Sequence, residues 1–426
     1  MNADSPRQGL ALVPNLRSSV FICGFIFVML ACGAAEAPLA ERLDGALARS
    51  ARFLVSEQQP DGAWRSKTYG ALKHSADLTP LVMSCLFFLP QGGEAAKAAF
   101  LKGEEFLLGT VGPDGELNAR AAEFIYPVYT GASVSRLAAL RKKDERHVRA
   151  QQAWLKAVLA RRLSRDLGWE PSDPQFGGWG FSLKPPQKPA PAHFSPAFCE
   201  SNLSATLFGL AALRSAKVPS SDPAYAEALV FVQRCQNFAE ADATADAAGD
   251  DGGFFFIPND ELQNKAGAAG QDRHGRTRFH SYGTMTADGL RALVRCGLAQ
   301  DHPRVVAARR WLEKHFDAAH NPGVFATERE ELRDSTYYYW TWAAAHAFQM
   351  LELRTIETAA GKTDWAVALA EELLRRQRPD GAWANRFTDA KEDDPLIATP
   401  WAASALAICR AAMTREDRAL FPRPAP

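Results

Sequence analysis

The chain has 426 residues, with 49 basic and 49 acidic side chains, so its formal net charge is zero, and 47% of its residues are hydrophobic. Charge neutrality argues against a polyanion such as nucleic acid as the main partner. The ordinary globular composition supports a large buried core and excludes a disordered chain.

Arg7 and Arg17 precede a charge-free run at 18–35, whose apolar heart at 20–30 is followed by Ala31, Cys32, Gly33, Ala34 and Ala35. A positive flank, short apolar core and small-residue exit resemble a secretory signal cleaved after Ala35. The core is shorter than the roughly 20 residues a membrane-spanning helix needs. Met29-Leu30-Ala31-Cys32 also resembles an imperfect bacterial lipoprotein signal, in which a lipidated Cys32 would hold the protein on a membrane. Both readings predict an exported protein, whether periplasmic, a cell-envelope lipoprotein or secreted. Residues 1–37 are then the signal, 40–415 the folded domain and 416–426 a tail. Cys85, Cys199, Cys235, Cys296 and Cys409 remain outside the signal; their odd number and wide spacing predict buried free thiols instead of a disulfide framework.

The next element is a helix predicted over 43–58, ending in Gln58-Gln59-Pro60-Asp61-Gly62-Ala63-Trp64. The same core recurs at the far end of the chain, in Gln377-Arg378-Pro379-Asp380-Gly381-Ala382-Trp383. A shared P-D-G-A-W implies an internal repeat, and the repeat sets the fold. Each copy leads to Thr-Pro and an apolar helix, at Thr79-Pro80 and Thr399-Pro400, where Thr is expected to cap the helix and Pro to fit its first turn. A Leu lies seven residues after each Thr, two helical turns on. The spacing recurs at Thr130 with Leu137, Thr206 with Leu213, Thr286 with Leu293 and Thr341 with Phe348. Glycine-containing turns precede each Thr, at Asp114-Gly115, Gly177-Gly178-Trp179, Asp251-Gly252-Gly253-Phe254 and Asn321-Pro322-Gly323-Val324-Phe325. More polar helices are predicted before the turns, clearest at 43–58, 154–163, 303–316 and 365–376. The helices after them, as at 203–213 and 340–353, are apolar on most sides and so belong inside. The expected fold is all-α: an α/α toroid of six helical hairpins, with an inner and an outer ring, after the N-terminal signal segment. Both terminal units carry the strongest motif, which a closed ring explains better than an open solenoid with polar caps.

Phe53-Leu54 followed by Gln58, Gly62 and Trp64, and Leu373 followed by Gln377, Gly381 and Trp383, resemble the QW motif of squalene and oxidosqualene cyclases. Those enzymes share a repeat superfamily with protein prenyltransferase β subunits. The resemblance implies a terpenoid-cyclase-like toroid, and says more about architecture than activity. The cyclases carry an acidic D-x-D-D-T-A stretch whose Asp protonates an alkene or epoxide; the chain has instead Ser75-Ala76-Asp77-Leu78-Thr79-Pro80. Lining up the Thr makes Asp77 the candidate acid, with His74 beside it, and a helix-capping Asp the plain alternative. The implied chemistry is that of a squalene- or terpenoid-cyclase-like isomerase or lyase.

The remaining candidates follow from residue type. Arg276 and Arg278, in a basic loop that leads to Thr286, are expected to steer an anionic head, with a solvated loop in a long insertion as the alternative. Tyr337, Tyr338, Trp340 and Trp342 are expected to wall an apolar cavity or steady carbocations, with plain packing as the alternative. Glu392-Asp393-Asp394 and Asp250-Asp251 lack the third carboxylate that a magnesium–diphosphate site needs, and the latter precedes Gly252-Gly253 as a turn would. No metal and no cofactor is expected. The leading expectation is an exported toroid that binds an apolar isoprenoid-type small molecule and cyclises or isomerises it. The alternative is a non-catalytic toroid module for a protein, peptide or envelope lipid. A carbohydrate-active α/α barrel is disfavoured by the lack of a suitably spaced carboxylate pair.

Overall fold

The computed structural model describes residues 37–141, 144–190, 200–239, 250–271, 275 and 277–414. The signal-like segment, Cys32, Cys199, Arg276 and the 416–426 tail lie outside the described residues. The described residues from Pro38 onward form one compact unit.

Helices dominate that unit. They run as α1 (Leu39–Ser56), a short α2 (Gly70–Lys73) and α3 (Leu78–Leu86); α4 (Gly93–Leu108) and α5 (Pro127–Arg141); α6 (Glu145–Leu159) and α7 (Leu203–Ser215). Then come α8 (Pro223–Arg234) and α9 (Gly283–Arg295), α10 (Pro303–His315) and α11 (Tyr337–Met350), and α12 (Trp365–Arg376) and α13 (Pro395–Thr414). Strands among the described residues are confined to two short antiparallel hairpins, β1 (Ala268–Gln271) with β2 (Thr277–Phe279), and β3 (Ile356–Thr358) with β4 (Gly361–Thr363).

Amphipathicity sorts the helices into two layers. α1 buries Leu43, Ala46, Leu47, Ser50, Ala51 and Leu54, and α12 buries Trp365, Ala366, Leu369, Ala370 and Leu373, each a single stripe at helical spacing. In α7, α9 and α11 nearly every residue of the first turns is buried. The inner helices pack in the order α3, α5, α7, α9, α11, α13, and α13 packs back on α3, so the ring is closed. α13 is long and apolar enough to cross a membrane, but most of it is buried within the ring, as befits a core helix.

Helix starts differ from expectation in a way the side chains explain. α6 begins at Glu145, well before Trp154, because Asp144 caps it by accepting from Arg146 N at 2.9 Å. α7 is capped by Asn202, which accepts from Ala205 N, and α13 by Asp394, which accepts from Leu396 N. The corner threonines are therefore not caps. They lie inside the first turns, where Thr79, Thr206, Thr286 and Thr399 each use Oγ1 to accept the backbone N–H of Trp64, Trp179, Phe254 and Trp383, at 3.0–3.1 Å. Thr130 and Thr341 are spent otherwise, on Asp77 and on the carbonyl of Tyr338.

The corner itself is a staple between units. Trp64, Trp179 and Trp383 donate their indole N–H to the carbonyls of Leu54, Val158 and Leu373, in the last turns of α1, α6 and α12. Gln58 Nε2 donates to Gly62 O at 2.9 Å and across to Ala99 O of α4 at 2.8 Å. Gln236 repeats this with Gly252 O and Arg304 O of α10, a corner that the sequence hid behind an insertion. Gln377 Nε2 donates to Gly381 O and to Ala46 O of α1, while Arg49 donates to Gln377 Oε1. The last corner thus grips the first helix, with support from ion pairs of Arg42 with Glu371 and Arg410 with Asp44. Ser66 and Tyr69 donate to Asp394 and Asp393 across the same seam.

Candidate functional site

Each inner helix turns one stripe toward the ring axis. Where the corner Thr receives an aromatic amide, the residue two positions later is in that stripe. These are the half-buried Leu81, Phe208 and Trp401, and the fully buried Asp288. On α11 the stripe is Tyr339, Trp342 and His346, and on α5 it is Tyr129 and Arg136, in keeping with helical spacing. Asp288, Arg291 and Arg295 share one face of α9.

The aromatic members meet at the axis. Phe208 of α7 stacks on Trp342 of α11 with centroids 5.9 Å apart, and touches Tyr129 of α5 at 4.3 Å and Trp401 of α13 at 6.5 Å. Trp342 lies 5.4 Å from Tyr339 and 4.7 Å from Trp401. Phe181 and Tyr126 extend the cluster past Tyr129. Tyr129, Arg136, Arg295, Tyr339 and His346 are surrounded by protein, yet each keeps part of its surface open, as side chains around an enclosed space do.

Charge is concentrated beside these rings. Asp288 Oδ2 accepts from the Tyr339 hydroxyl at 2.7 Å and from Ser204 Oγ at 3.0 Å, and Oδ1 faces Arg291 at 3.4 Å. Burial pushes the Asp288 carboxyl above the usual carboxylate range, against the pull of Arg291, Tyr339 and Ser204. Arg291 lies over the Trp342 ring at 4.4 Å, and Arg136 lies over Phe88 at 4.6 Å. Burial, then the neighbouring guanidiniums, pull Arg136 down to about 10 and Arg295 to about 9, so both remain charged at neutral pH. Burial and the same three arginines hold His346 well below its ordinary value, and therefore neutral. No group of three or more His, Cys, Asp or Glu placed to hold a metal occurs among the described residues.

The residues expected from sequence fall in several places. Asp77 closes the start of α5: its carboxylate accepts from Ile125 N at 2.8 Å, Tyr126 N at 2.9 Å, Ser75 Oγ at 2.5 Å and Thr130 Oγ1 at 3.4 Å. His74 is exposed at the end of α2. Arg278, on β2, pairs with Asp250 at 2.6 Å. Of the aromatic run, Trp342 faces the axis and Tyr339 joins it. Tyr337, Tyr338 and Trp340 point to the outer layer, where they donate to Ala318 O, Ala384 O and Asp317 O. Glu392 accepts from Tyr338 N and Tyr339 N and so caps α11. Asp251 accepts from Gly253 N, Ser281 Oγ and Trp311 Nε1, the turn role expected. Cys85, Cys235, Cys296 and Cys409 are free thiols, with Cys296 partly exposed. Asp288, Arg136, Arg291, Arg295, Phe208 and Trp401 were not foreseen, although three charged residues in one inner helix were a visible signal.

No protein-family model matches the sequence, and no curated protein matches it. Among solved structures, the fold is similar to that of the type II terpene cyclase MstE from Scytonema in complex with its product merosterolic acid A, with 16% identity, 89% of this chain and 99% of that one covered, and a TM-score of 0.50. A protein from Actinoplanes matches with 18% identity over 87% of this chain and 100% of its own, at a TM-score of 0.49. An α-1,6-mannanase from Salegentibacter, in complex with α-1,6-mannotriose, matches with 10% identity over 88% and 99%, at 0.48. At these identities the likeness is one of fold alone, an α/α toroid.

Proposed function

We propose that the toroid binds an apolar, isoprenoid-type chain against its axial aromatic cluster and cyclises or isomerises it by proton transfer. The observation that carries this reading is a buried carboxyl of raised pKa, Asp288, hydrogen-bonded to a tyrosine among the rings that meet on the axis. Burial raises this carboxyl and so favours its protonated form, the acid such chemistry needs. Asp288 has no exposed surface of its own, so its proton reaches the cavity through the Tyr339 hydroxyl. In the resting arrangement the Tyr339 hydroxyl donates to Asp288; for transfer it turns to the ligand, passes its own proton to an alkene carbon and accepts the one from the protonated Asp288. The carbocation then faces Tyr129, Phe208, Trp342 and Trp401, and loss of a neighbouring proton back along the relay restores the acid. The terpene cyclase of the same fold, captured with merosterolic acid A, is compatible with an isoprenoid-derived ligand. Asp77 is assigned a positioning role at α5. We read the helices as six outer–inner hairpins covering 40–415, and the signal-like 1–37 segment supports an exported protein.

The test is incubation of the purified chain with linear prenyl alcohols and squalene, followed by mass spectrometry of products and by Trp fluorescence for binding. Turnover that disappears in Asp288→Asn while binding and melting persist supports the reading. Equal turnover in that variant would sink the acid assignment. Binding without any turnover by the native chain favours a second reading, a non-catalytic binding module. That reading has its own support, because Phe208, Trp342 and Trp401 meet across the axis and must part before a chain enters.

A further inference from the structure

Arg136, Arg291 and Arg295 place three guanidiniums from α5 and α9 within electrostatic reach of one another, and Arg291 lies on the Trp342 ring of the aromatic cluster. Among the described residues one carboxylate, Asp288, faces them, and its second oxygen is taken by Tyr339 and Ser204. Three cations against one acid leave an excess of two positive charges even when Asp288 is ionised. Arg291 is 2% exposed and its Nε has no hydrogen-bond partner. Arg295 donates to the carbonyl of Leu207, and Arg136 and Arg291 otherwise lie on the rings of Phe88 and Trp342. An unpaired buried charge is costly unless a counter-charge arrives, and His346, held neutral beside them, can add a neutral ring N–H donor.

We infer that Arg136, Arg291 and Arg295 form an oxyanion subsite, which takes the carboxylate or phosphate at one end of the apolar ligand. The inference rests on the proposed apolar-ligand reading and names its substrate class: an amphiphile with an anionic head, the chain lying on the rings and the head on the guanidiniums. Forked guanidinium donors match both oxyanions.

The experiment uses a farnesyl chain supplied as the alcohol, the carboxylic acid and the monophosphate, with binding read from the fluorescence of the native protein. The acid or the monophosphate should bind roughly tenfold or more tighter than the alcohol. Their ranking against each other distinguishes carboxylate from phosphate. Arg136→Met should erase the advantage while the alcohol still binds, and Arg136→Lys restores part of it. Melting of each variant without ligand checks the fold, and inorganic pyrophosphate should raise the melting temperature of the native chain more than that of Arg136→Met. Equal binding of all three probes, or an advantage untouched by Arg136→Met, overturns the subsite and leaves the apolar-ligand reading standing. Failure of all three to bind overturns both, unless pyrophosphate alone stabilises the native chain, which upholds the subsite and removes the prenyl chain.

Discussion

Two aspartates separate what a residue can do from where it stands. Asp77 and Asp288 are both held above the usual carboxylate range by burial, but Asp77 spends its oxygens on two backbone amides and two hydroxyls. Asp77→Asn puts an amide N–H where an acceptor is required, beside Ile125 N and Tyr126 N. It should lower stability by about 1–3 kcal/mol, seen as a lower urea midpoint with the same slope, and leave ligand affinity within about twofold. Unchanged stability would mean that α5 does not depend on this carboxylate. Glu392 presents a different case, because burial pushes its carboxyl up to about 7 from an ordinary 4.5 while two α11 amides and Asn385 oppose the shift. The folded state therefore holds a proton that the unfolded chain releases between about 4.5 and 7. The stabilisation from this group is fully present below 4.5 and is lost as pH rises to 7, a change on the order of 3 kcal/mol. Glu392→Gln should remove that slope, whatever its own offset, and a stability–pH profile equally steep in native and variant protein would refute the assignment.

The corner is the element in which sequence and structure agree best, and also where they part. The paired Gln-Gly-Trp segments and the Thr spacing were legible because a buried Trp and a left-handed Gly leave few substitutes. The job of the threonine was not legible, since Thr before Pro reads equally as a helix cap; only the folded corner shows Oγ1 receiving the amide of Trp179 or Trp383. The axial site was harder still. Asp77 drew attention through its local likeness to an acidic motif, whereas Asp288 gains its surroundings from Ser204 and Tyr339, 84 and 51 residues away. No window of sequence contains that environment. The difference among threonines is testable. Thr206→Val strands the buried Trp179 N–H and should cost about 1–3 kcal/mol, whereas Thr341→Val loses only a bond to its own helix and should cost less than about 1 kcal/mol. Equal losses in urea unfolding would show that the corner bond contributes nothing special.

At the scale of the whole molecule, the corner explains how a chain of repeats becomes a ring. Gly62 and Gly381 both adopt positive φ, 95° and 89°, and a side chain there would also run into the next outer helix. A Cβ on Gly62 would stand 2.6 Å from Lys102 O of α4, and one on Gly381 the same 2.6 Å from Arg49 O of α1. The two contacts are alike in geometry and differ in reach, one joining adjacent units and the other joining the two ends of the fold. In an open solenoid the last corner would have nothing to press against, so Gly381→Ala would cost only its φ strain, about 1 kcal/mol. In a closed ring the added methyl must also displace the α1 backbone and loosen Gln377 from Ala46 and Arg49. Gly381→Ala should then cost about 2–4 kcal/mol and match Gly62→Ala within about 1 kcal/mol. Urea unfolding of the two variants side by side decides the matter: a Gly381→Ala loss no larger than φ strain alone means that the ends are not bound to each other in solution, and an axial site enclosed by all the inner helices could not then persist.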